Sequence, residues 1–219
     1  VSDLDSDEAL VNFGTPAYSY GHEVYDDLAV TSNGYVVVGT GTSEDLDYVP
    51  QDFPDPARPN NVIAPYWTDL DPASGGDIRI GTLTDGVDTW IVVDWQDVHV
   101  YGTTNDRSFQ VWIQIGGTAE EGIWLEHDAD AVAAAGASDG LIVGAENRDG
   151  SSGADLGMDV PPANTGYRVI TGNPTAGGSK TITYEALGQA RGAYYILASM
   201  TSDITQGTAT DRDRIRVTP

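Results

Sequence analysis

Short runs of β-branched and aromatic residues, separated by Gly, Asp, Asn and Pro, recur along most of the chain. Such runs are typical of β-strands joined by tight turns. The clearest strands are predicted at residues 77–83, 89–101, 107–115, 123–127 and 141–145. Helical propensity is confined to an Ala-rich stretch at 129–135, about two turns at most before Gly136. The pattern therefore predicts an all-β fold.

The spacing of the strands predicts an antiparallel β-sandwich or jelly-roll-like architecture. The Pro-rich stretch 50–65 is predicted to be an extended loop, because proline cannot donate to a central ladder. Pro161 and Pro162 indicate a boundary, so we expect a sandwich module at 1–163 and a small C-terminal β segment at 164–219. Strands are predicted in that segment at residues 167–170, 180–187, 193–200 and 212–217. The segment could be a separate Ig-like unit or could add strands to the module.

The charge of the chain narrows the range of partners. It carries 34 acidic against 10 basic residues and a net charge of −24. Nucleic acid and anionic membranes would be repelled by such a surface, so neither is an expected partner. We also expect no membrane insertion, since no apolar run approaches the roughly 18 residues of a membrane span. The acidity fits either simple solubility or an extracellular role with salt tolerance or calcium binding.

The absence of cysteine excludes thiol catalysis, Cys-based zinc sites and disulfides. In an exported protein this favours a bacterial module that is stabilised by the size of its core. The chain begins with Val1 and not with methionine, so we expect a mature or excised fragment of a secreted protein.

One segment, 136–140, matches the pattern of a serine nucleophile elbow centred on Ser138. The elbow requires a strand before the serine and a helix after it. Here the helical stretch precedes Ser138 and the strand follows it, so the order is reversed. A triad of Ser138, His99 and Asp97 would also need two neighbours on one strand face. We therefore predict a non-catalytic chain in which His99 is structural.

Carboxylates provide the main candidate for a metal site. Asp69, Asp71 and Asp77 flank a tight Gly-Gly loop between a hydrophobic stretch and a strand. Alternate acids point the same way, and calcium prefers such clusters of oxygen ligands. The alternative is that Asp69 and Asp71 accept hydrogen bonds within a turn. The sequence thus suggests calcium as a cofactor at these three residues and no other cofactor.

The five tryptophans could form a ligand platform, for example for sugars, or could pack in the core. They are Trp67, Trp90, Trp95, Trp112 and Trp124. All five lie beside apolar residues in predicted strands or at strand edges, so core packing is the favoured interpretation.

Two segments together resemble a known family. Residues 32–38 contain Ser-Asn-Gly-Tyr followed by three valines, and residues 61–71 read Asn-Val-Ile-Ala-Pro-Tyr-Trp-Thr-Asp-Leu-Asp. This pairing is similar to the nidogen-type extracellular domain. Segments 81–90, 108–113 and 143–147 resemble a module near the C-terminus of secreted bacterial subtilisin-like serine proteases.

The resemblance implies a secreted bacterial accessory module. The subtilase catalytic motifs are absent from this chain, so the protease domain of the parent protein would lie upstream. Such a module would serve substrate or surface attachment, or stability. The competing interpretation is a free-standing or adhesin-borne module that binds carbohydrate or matrix protein. The expected partner is accordingly a protein or polysaccharide ligand, or the upstream protease domain.

Overall fold

The computed structural model describes residues 4–115, 122–128, 140–156, 161–170, 192–202 and 207–217. The chain divides into two compact units, Val1–Asn173 and Pro174–Pro219. The described residues contain no α-helix; apart from loops and turns they form strands and short 3-10 segments, one of them at Ser43–Asp45.

The first unit contains two antiparallel sheets. The first sheet has the strand order β1-β2-β3-β4-β10-β11. Its strands are β1 (Leu10–Tyr20), β2 (Glu23–Thr31), β3 (Val36–Val38), β4 (Val62–Trp67), β10 (Ile142–Glu146) and β11 (Gly153–Asp155). Every strand pair in this order is antiparallel.

The second sheet has the order β12-β9-β8-β7-β5, and β6 also pairs with β7. Its strands are β5 (Leu70–Asp71), β6 (Asp77–Thr84), β7 (Thr89–Val100), β8 (Asp106–Gln114), β9 (Ile123–His127) and β12 (Thr165–Val169). Strands β6 to β9 form a meander in which each strand pairs with the next.

The main core lies between the two sheets. Strand β7 alternates, so that Ile91, Val93 and Trp95 are buried in this core. Strand β8 contributes Phe109, Val111 and Ile113 in the same way. The first sheet faces them with apolar side chains from several strands, including Leu28, Val30, Val36, Val38, Ile63 and Tyr66. This period of two is what a half-buried sheet requires.

A second cluster covers the other face of the first sheet. Trp67 and Tyr35 form its centre, with ring centroids 4.4 Å apart, and Phe53 packs against Trp67 at 6.0 Å. All six residues of β4 are therefore buried, because this strand contributes to both clusters.

Polar side chains tie the sheets together across the main core. The indole N–H of Trp95 donates to the carbonyl of Thr31 at 3.1 Å. The buried Arg107 Nε donates to the Tyr66 hydroxyl at 3.1 Å. His127 Nε2 lies 2.7 Å from the carbonyl oxygen of Pro65. These bonds satisfy polar groups that would be costly to bury alone.

The two segments that resemble the nidogen-type domain meet in the structure. The backbone N–H of Tyr66 donates to the Gly34 carbonyl at 3.2 Å, and that of Leu70 to the Asn33 side chain at 2.9 Å. Gly34 has a φ of +79°, and a Cβ there would lie 2.0 Å from the Tyr66 oxygen. Glycine is therefore required at this turn.

In the described part of the second unit, β13 (Gly192–Ser202) and β14 (Gly207–Val217) pair as an antiparallel hairpin. The predicted strands at 193–200 and 212–217 lie within it, whereas those predicted at 180–187 and the helical stretch at 129–135 lie outside the described residues. Strand β12, which the predicted boundary after residue 163 placed in the C-terminal segment, pairs with β9. The predicted division of the chain after residue 163 stays a prediction.

The all-β class and the antiparallel sandwich are confirmed. One part of the prediction was wrong, because residues 62–65 belong to the central strand β4 and not to a loop. Pro65 is accommodated there because the pairing of β4 with β10 shifts register between Ile142 and Gly144. Such an irregularity removes the need for a ladder donor at the proline.

Glu146, at the end of β10, is 1% exposed and holds the proline-rich loop. Its carboxylate accepts a hydrogen bond from the backbone N–H of Asp55 at 3.0 Å. Burial raises the pKa of Glu146 from its ordinary value of 4.5 to about 7, although the bond from Asp55 opposes this. Ionisation of the buried carboxyl group therefore destabilises the folded state.

We expect Glu146→Gln to change the pH dependence of stability. The folded chain holds this proton up to about pH 7 and the unfolded chain only to about 4.5, so wild-type stability falls as pH rises through that window. The variant should match the wild type near pH 4. At pH 8 it should be more stable by about 2–3 kcal/mol.

Urea denaturation at both pH values measures this difference. The exposed Glu8→Gln variant removes the same charge and serves as the control. Equal shifts in both variants would show that overall charge, and not the burial of Glu146, sets the pH dependence.

Candidate binding face

The outward face of the second sheet carries three tryptophans. Their positions, Trp90, Trp112 and Trp124, follow from the alternation that sends their sequence neighbours into the core. All three side chains are half-buried and none belongs to either core cluster. We call this surface the tryptophan face; it comprises these three residues and Asp94, Gln110, Gln114, Glu126 and Arg168.

The register of four strands places part of this face in one row, which begins at the buried Val92. Val92 on β7 is opposite Trp112 on β8, which is opposite Trp124 on β9, which is opposite Arg168 on β12. Adjacent strands lie about 4.8 Å apart, so the row runs about 14 Å across the sheet. The tryptophan face is therefore built on regular strands, which hold side chains more firmly than loops do.

Two indoles of the tryptophan face contact each other, and the third contacts a cation. The rings of Trp90 and Trp112 lie 6.1 Å apart, edge to face at 71°. The guanidinium carbon of Arg168 lies 5.7 Å from the ring centre of Trp124, within the range of a cation–π interaction. These contacts limit the rotamers of the indoles.

A chain of hydrogen bonds fixes the polar part of the face. The Trp112 indole N–H donates to Gln110 Oε1 at 2.8 Å, and Gln110 Nε2 donates to Asp94 Oδ1 at 2.9 Å. Arg79 Nη1 lies 3.7 Å from the other carboxylate oxygen of Asp94. Beside them, Gln114 Nε2 donates to Asp88 at 2.9 Å. The orientation of each amide is thereby set.

Two glycines leave space for these side chains. A Cβ at Gly122 would lie 2.2 Å from Gln114 Oε1 and 2.8 Å from the far edge of the Trp124 ring. A Cβ at Gly166 would lie 2.5 Å from a carboxylate oxygen of Glu126. Burial, followed by repulsion from Asp128, raises the pKa of Glu126.

The predicted core packing of tryptophan is confirmed for Trp67 and Trp95, which are fully buried. The other three occupy the outward face instead. The sequence of β8 contained a signal for the outward position of Trp112. This residue alternates with the polar Gln110 and Gln114, whereas Phe109, Val111 and Ile113 form the apolar set that faces the core. Proximity to apolar residues alone did not distinguish the two faces.

The sequence of the chain matches the model of a known protein family. The family described as NIDO related matches residues 3–184, which is most of the chain. The chain belongs to the NIDO-related family. Domains of this family are typically extracellular, and the resemblance to the nidogen-type domain is confirmed. Searches of curated proteins and of solved structures gave no match.

The acids predicted to bind calcium have protein partners in this NIDO-related chain. Asp71 accepts hydrogen bonds from the hydroxyl and the backbone N–H of Ser74, and Asp77 pairs with Arg79 at 2.9 Å. The backbone carbonyl of Asp69 accepts from the Tyr101 N–H at 3.0 Å. Among the described residues, no three His, Cys, Asp or Glu side chains are grouped as metal ligands. Calcium binding stays a prediction.

In this NIDO-related module, His99 and Asp97, two residues of the triad that the sequence argues against, are paired with other residues. His99 Nε2 lies 3.0 Å from Asp106, and Asp97 Oδ1 accepts from the Ser108 hydroxyl at 3.1 Å. Ser138 lies outside the described residues. His127 is buried between two backbone carbonyls, and burial lowers its pKa.

The NIDO-related module also has a polar cleft of about 470 Å³ beside β2, where Tyr25 and Asp27 meet Arg58 and Arg148. Arg58 pairs with Glu44 at 3.1 Å and Asp45 at 3.3 Å, and Arg148 pairs with Glu23 at 3.1 Å. Because both guanidinium groups are already neutralised by carboxylates, this cleft is a weaker candidate for ligand binding than the tryptophan face. In the part of the chain that is described, no helix is long and apolar enough to span a membrane.

Truncation of tryptophans on the two faces should have unequal effects on stability. We expect Trp95→Ala to lower the free energy of unfolding by about 3–5 kcal/mol, because it opens a cavity in the main core. Trp112→Ala removes a half-buried side chain and should cost about 1–2 kcal/mol. Urea unfolding followed by circular dichroism measures both, and equal losses would contradict the outward placement of Trp112.

The calcium prediction is tested by isothermal calorimetry on protein treated with EDTA. If Asp69, Asp71 and Asp77 bind calcium, the titration gives saturable heat that Asp71→Asn abolishes and the exposed control Asp52→Asn retains. A wild-type titration without heat would remove calcium from the account.

Proposed function

We propose that this chain is an extracellular, non-catalytic binding module that engages its ligand through the tryptophan face. One observation carries the proposal: Trp90, Trp112 and Trp124 are held half-exposed on one regular sheet face, outside both core clusters. Large aromatic side chains at the surface mark interaction sites, because burying them on binding is favourable.

The preorganisation of the face supports a binding role. The hydrogen bonds from Trp112 to Gln110 and from Gln110 to Asp94 fix polar groups beside the indoles before any ligand arrives. Groups that are already ordered lose little conformational entropy on binding. The face thus combines apolar area with oriented donors and acceptors, as binding sites commonly do.

The absence of catalysis is part of the proposal. Its support is that His99 and Asp97, the described members of the Ser-His-Asp set considered above, have other partners. The reversed order of helix and strand around Ser138 adds to this.

The ligand is proposed to be a polysaccharide or a matrix protein, since a net charge of −24 disfavours nucleic acid. A secreted location is proposed with it, because NIDO-related domains are typically extracellular.

A second proposal concerns the parent protein. The segments 81–90, 108–113 and 143–147 resemble part of secreted bacterial subtilisin-like proteases, so the module could attach such a protease to substrate or to a surface. The two proposals are compatible, because attachment needs a binding face. The presence of a peptidase domain upstream in the native gene would support the second, and its absence would refute it.

The binding proposal is tested by retention on cellulose, chitin and collagen. We expect the wild type to bind at least one of them. The double variant Trp112→Ala/Trp124→Ala should lose about tenfold or more in affinity, since each removes a contact worth about 1 kcal/mol or more. Tyr48→Ala, which truncates an exposed aromatic residue in another part of the chain, should bind as the wild type does.

Equal binding by the double variant and the wild type would refute the tryptophan face as the site. Labelling of the wild type by a fluorophosphonate probe, lost in Ser138→Ala, would refute the non-catalytic assignment.

A further inference from the structure

We infer that the tryptophan face recognises a neutral polysaccharide chain that lies across the strands of the second sheet. This inference rests on the proposed function and names the ligand class. It follows from the shape of the row, from the polar groups that border it and from the balance of charge around it.

The shape of the row suits an extended chain. Trp112, Trp124 and Arg168 are consecutive cross-strand neighbours, so their side chains form a strip about 10 Å long that crosses β8, β9 and β12. A sugar ring has an apolar face of C–H groups, which packs against an indole, and a rim of hydroxyls. A strip of this length and composition accommodates a short run of such rings.

The polar groups along the strip suit hydroxyls. Gln110 and Gln114 lie on either side of Trp112 along β8, with the two side chains on the same face as the indole. Asp94 accepts from Gln110 and keeps further acceptor capacity, and the amides retain donors and acceptors for a ligand. Hydroxyls both donate and accept, so they can pair with each of these groups.

The charges of the protein favour a neutral polymer over a charged one. The net charge of −24 repels a polyanion at long range. At the face itself, Arg168 and Arg79 lie among the acids Asp94 and Glu126, so the local charge is mixed and offers no patch of one sign to a charged polymer. A neutral chain needs no such patch. Its binding should also depend little on salt, because screening acts on charged partners.

The test is affinity electrophoresis of the whole chain in native gels. The probes are soluble hydroxyethylcellulose and galactomannan as neutral polymers, polygalacturonate as a polyanion and glycol chitosan as a polycation. We expect a neutral polymer to slow the migration of the wild-type protein. The retardation should persist when the salt concentration rises about tenfold, from 0.05 to 0.5 M, a change that screens most interactions between surface charges.

Matched variants locate the site. Trp112→Ala and Trp124→Ala should each weaken retardation about tenfold, Gln110→Ala by a smaller factor, and Tyr48→Ala should leave it unchanged. Loss of retardation in folded Trp112→Ala protein, with circular dichroism as the check, supports the inference.

The failures can be told apart. Retardation only by polygalacturonate or glycol chitosan, or binding only to collagen, with loss in the tryptophan variants, would overturn the neutral ligand and leave the tryptophan face as the binding site. Absence of binding to every polymer and to collagen would overturn the inference together with the proposed function.

Discussion

The register of β7, β8 and β9 is the constraint on which the candidate site depends. Side chains alternate in a strand, so a slip of one residue would exchange Val111 and Trp112 between core and surface. The burial of Val93, Val111 and Leu125 makes that exchange costly. The tryptophan face is therefore a consequence of core packing on the opposite side of the same sheet.

The first sheet supplies the surface against which this register is set. Strand β4 is buried on both faces. Its face toward the second sheet carries Tyr66 and the carbonyl of Pro65, and the neighbouring strands add apolar side chains. The bonds from Trp95 to Thr31, from Arg107 to Tyr66 and between His127 and Pro65 cross the main core at fixed positions. Directional bonds in a dry interior specify one arrangement of the sheets more strictly than apolar contact does. The turn at Asn33 and Gly34 then joins β4 to its own sheet.

The sequence predicted the all-β class and most strands of the central meander, because alternation and turn residues are local signals. It did not predict β1 or the strand character of residues 62–65. Those strands depend on pairing between distant segments and on a shift of register at Pro65, which no local pattern shows. The tryptophan face was predicted only as the less favoured alternative. Apolar neighbours in sequence surround both buried and outward tryptophans, and only the pairing of strands shows that Trp112, Trp124 and Arg168 form one row.

The most direct measurement is NMR of the five tryptophan indole N–H signals during titration with a neutral oligosaccharide of cellulose or mannan type. If the tryptophan face binds this ligand, the signals of Trp112 and Trp124 shift and saturate, and those of the buried Trp67 and Trp95 stay in place. Assignment by single Trp→Phe variants identifies each signal. Two results would contradict the account. One is saturable binding that shifts neither the Trp112 signal nor the Trp124 signal. The other is the absence of any shift at millimolar ligand, a concentration at which even a weak complex with a binding free energy of about 4 kcal/mol forms.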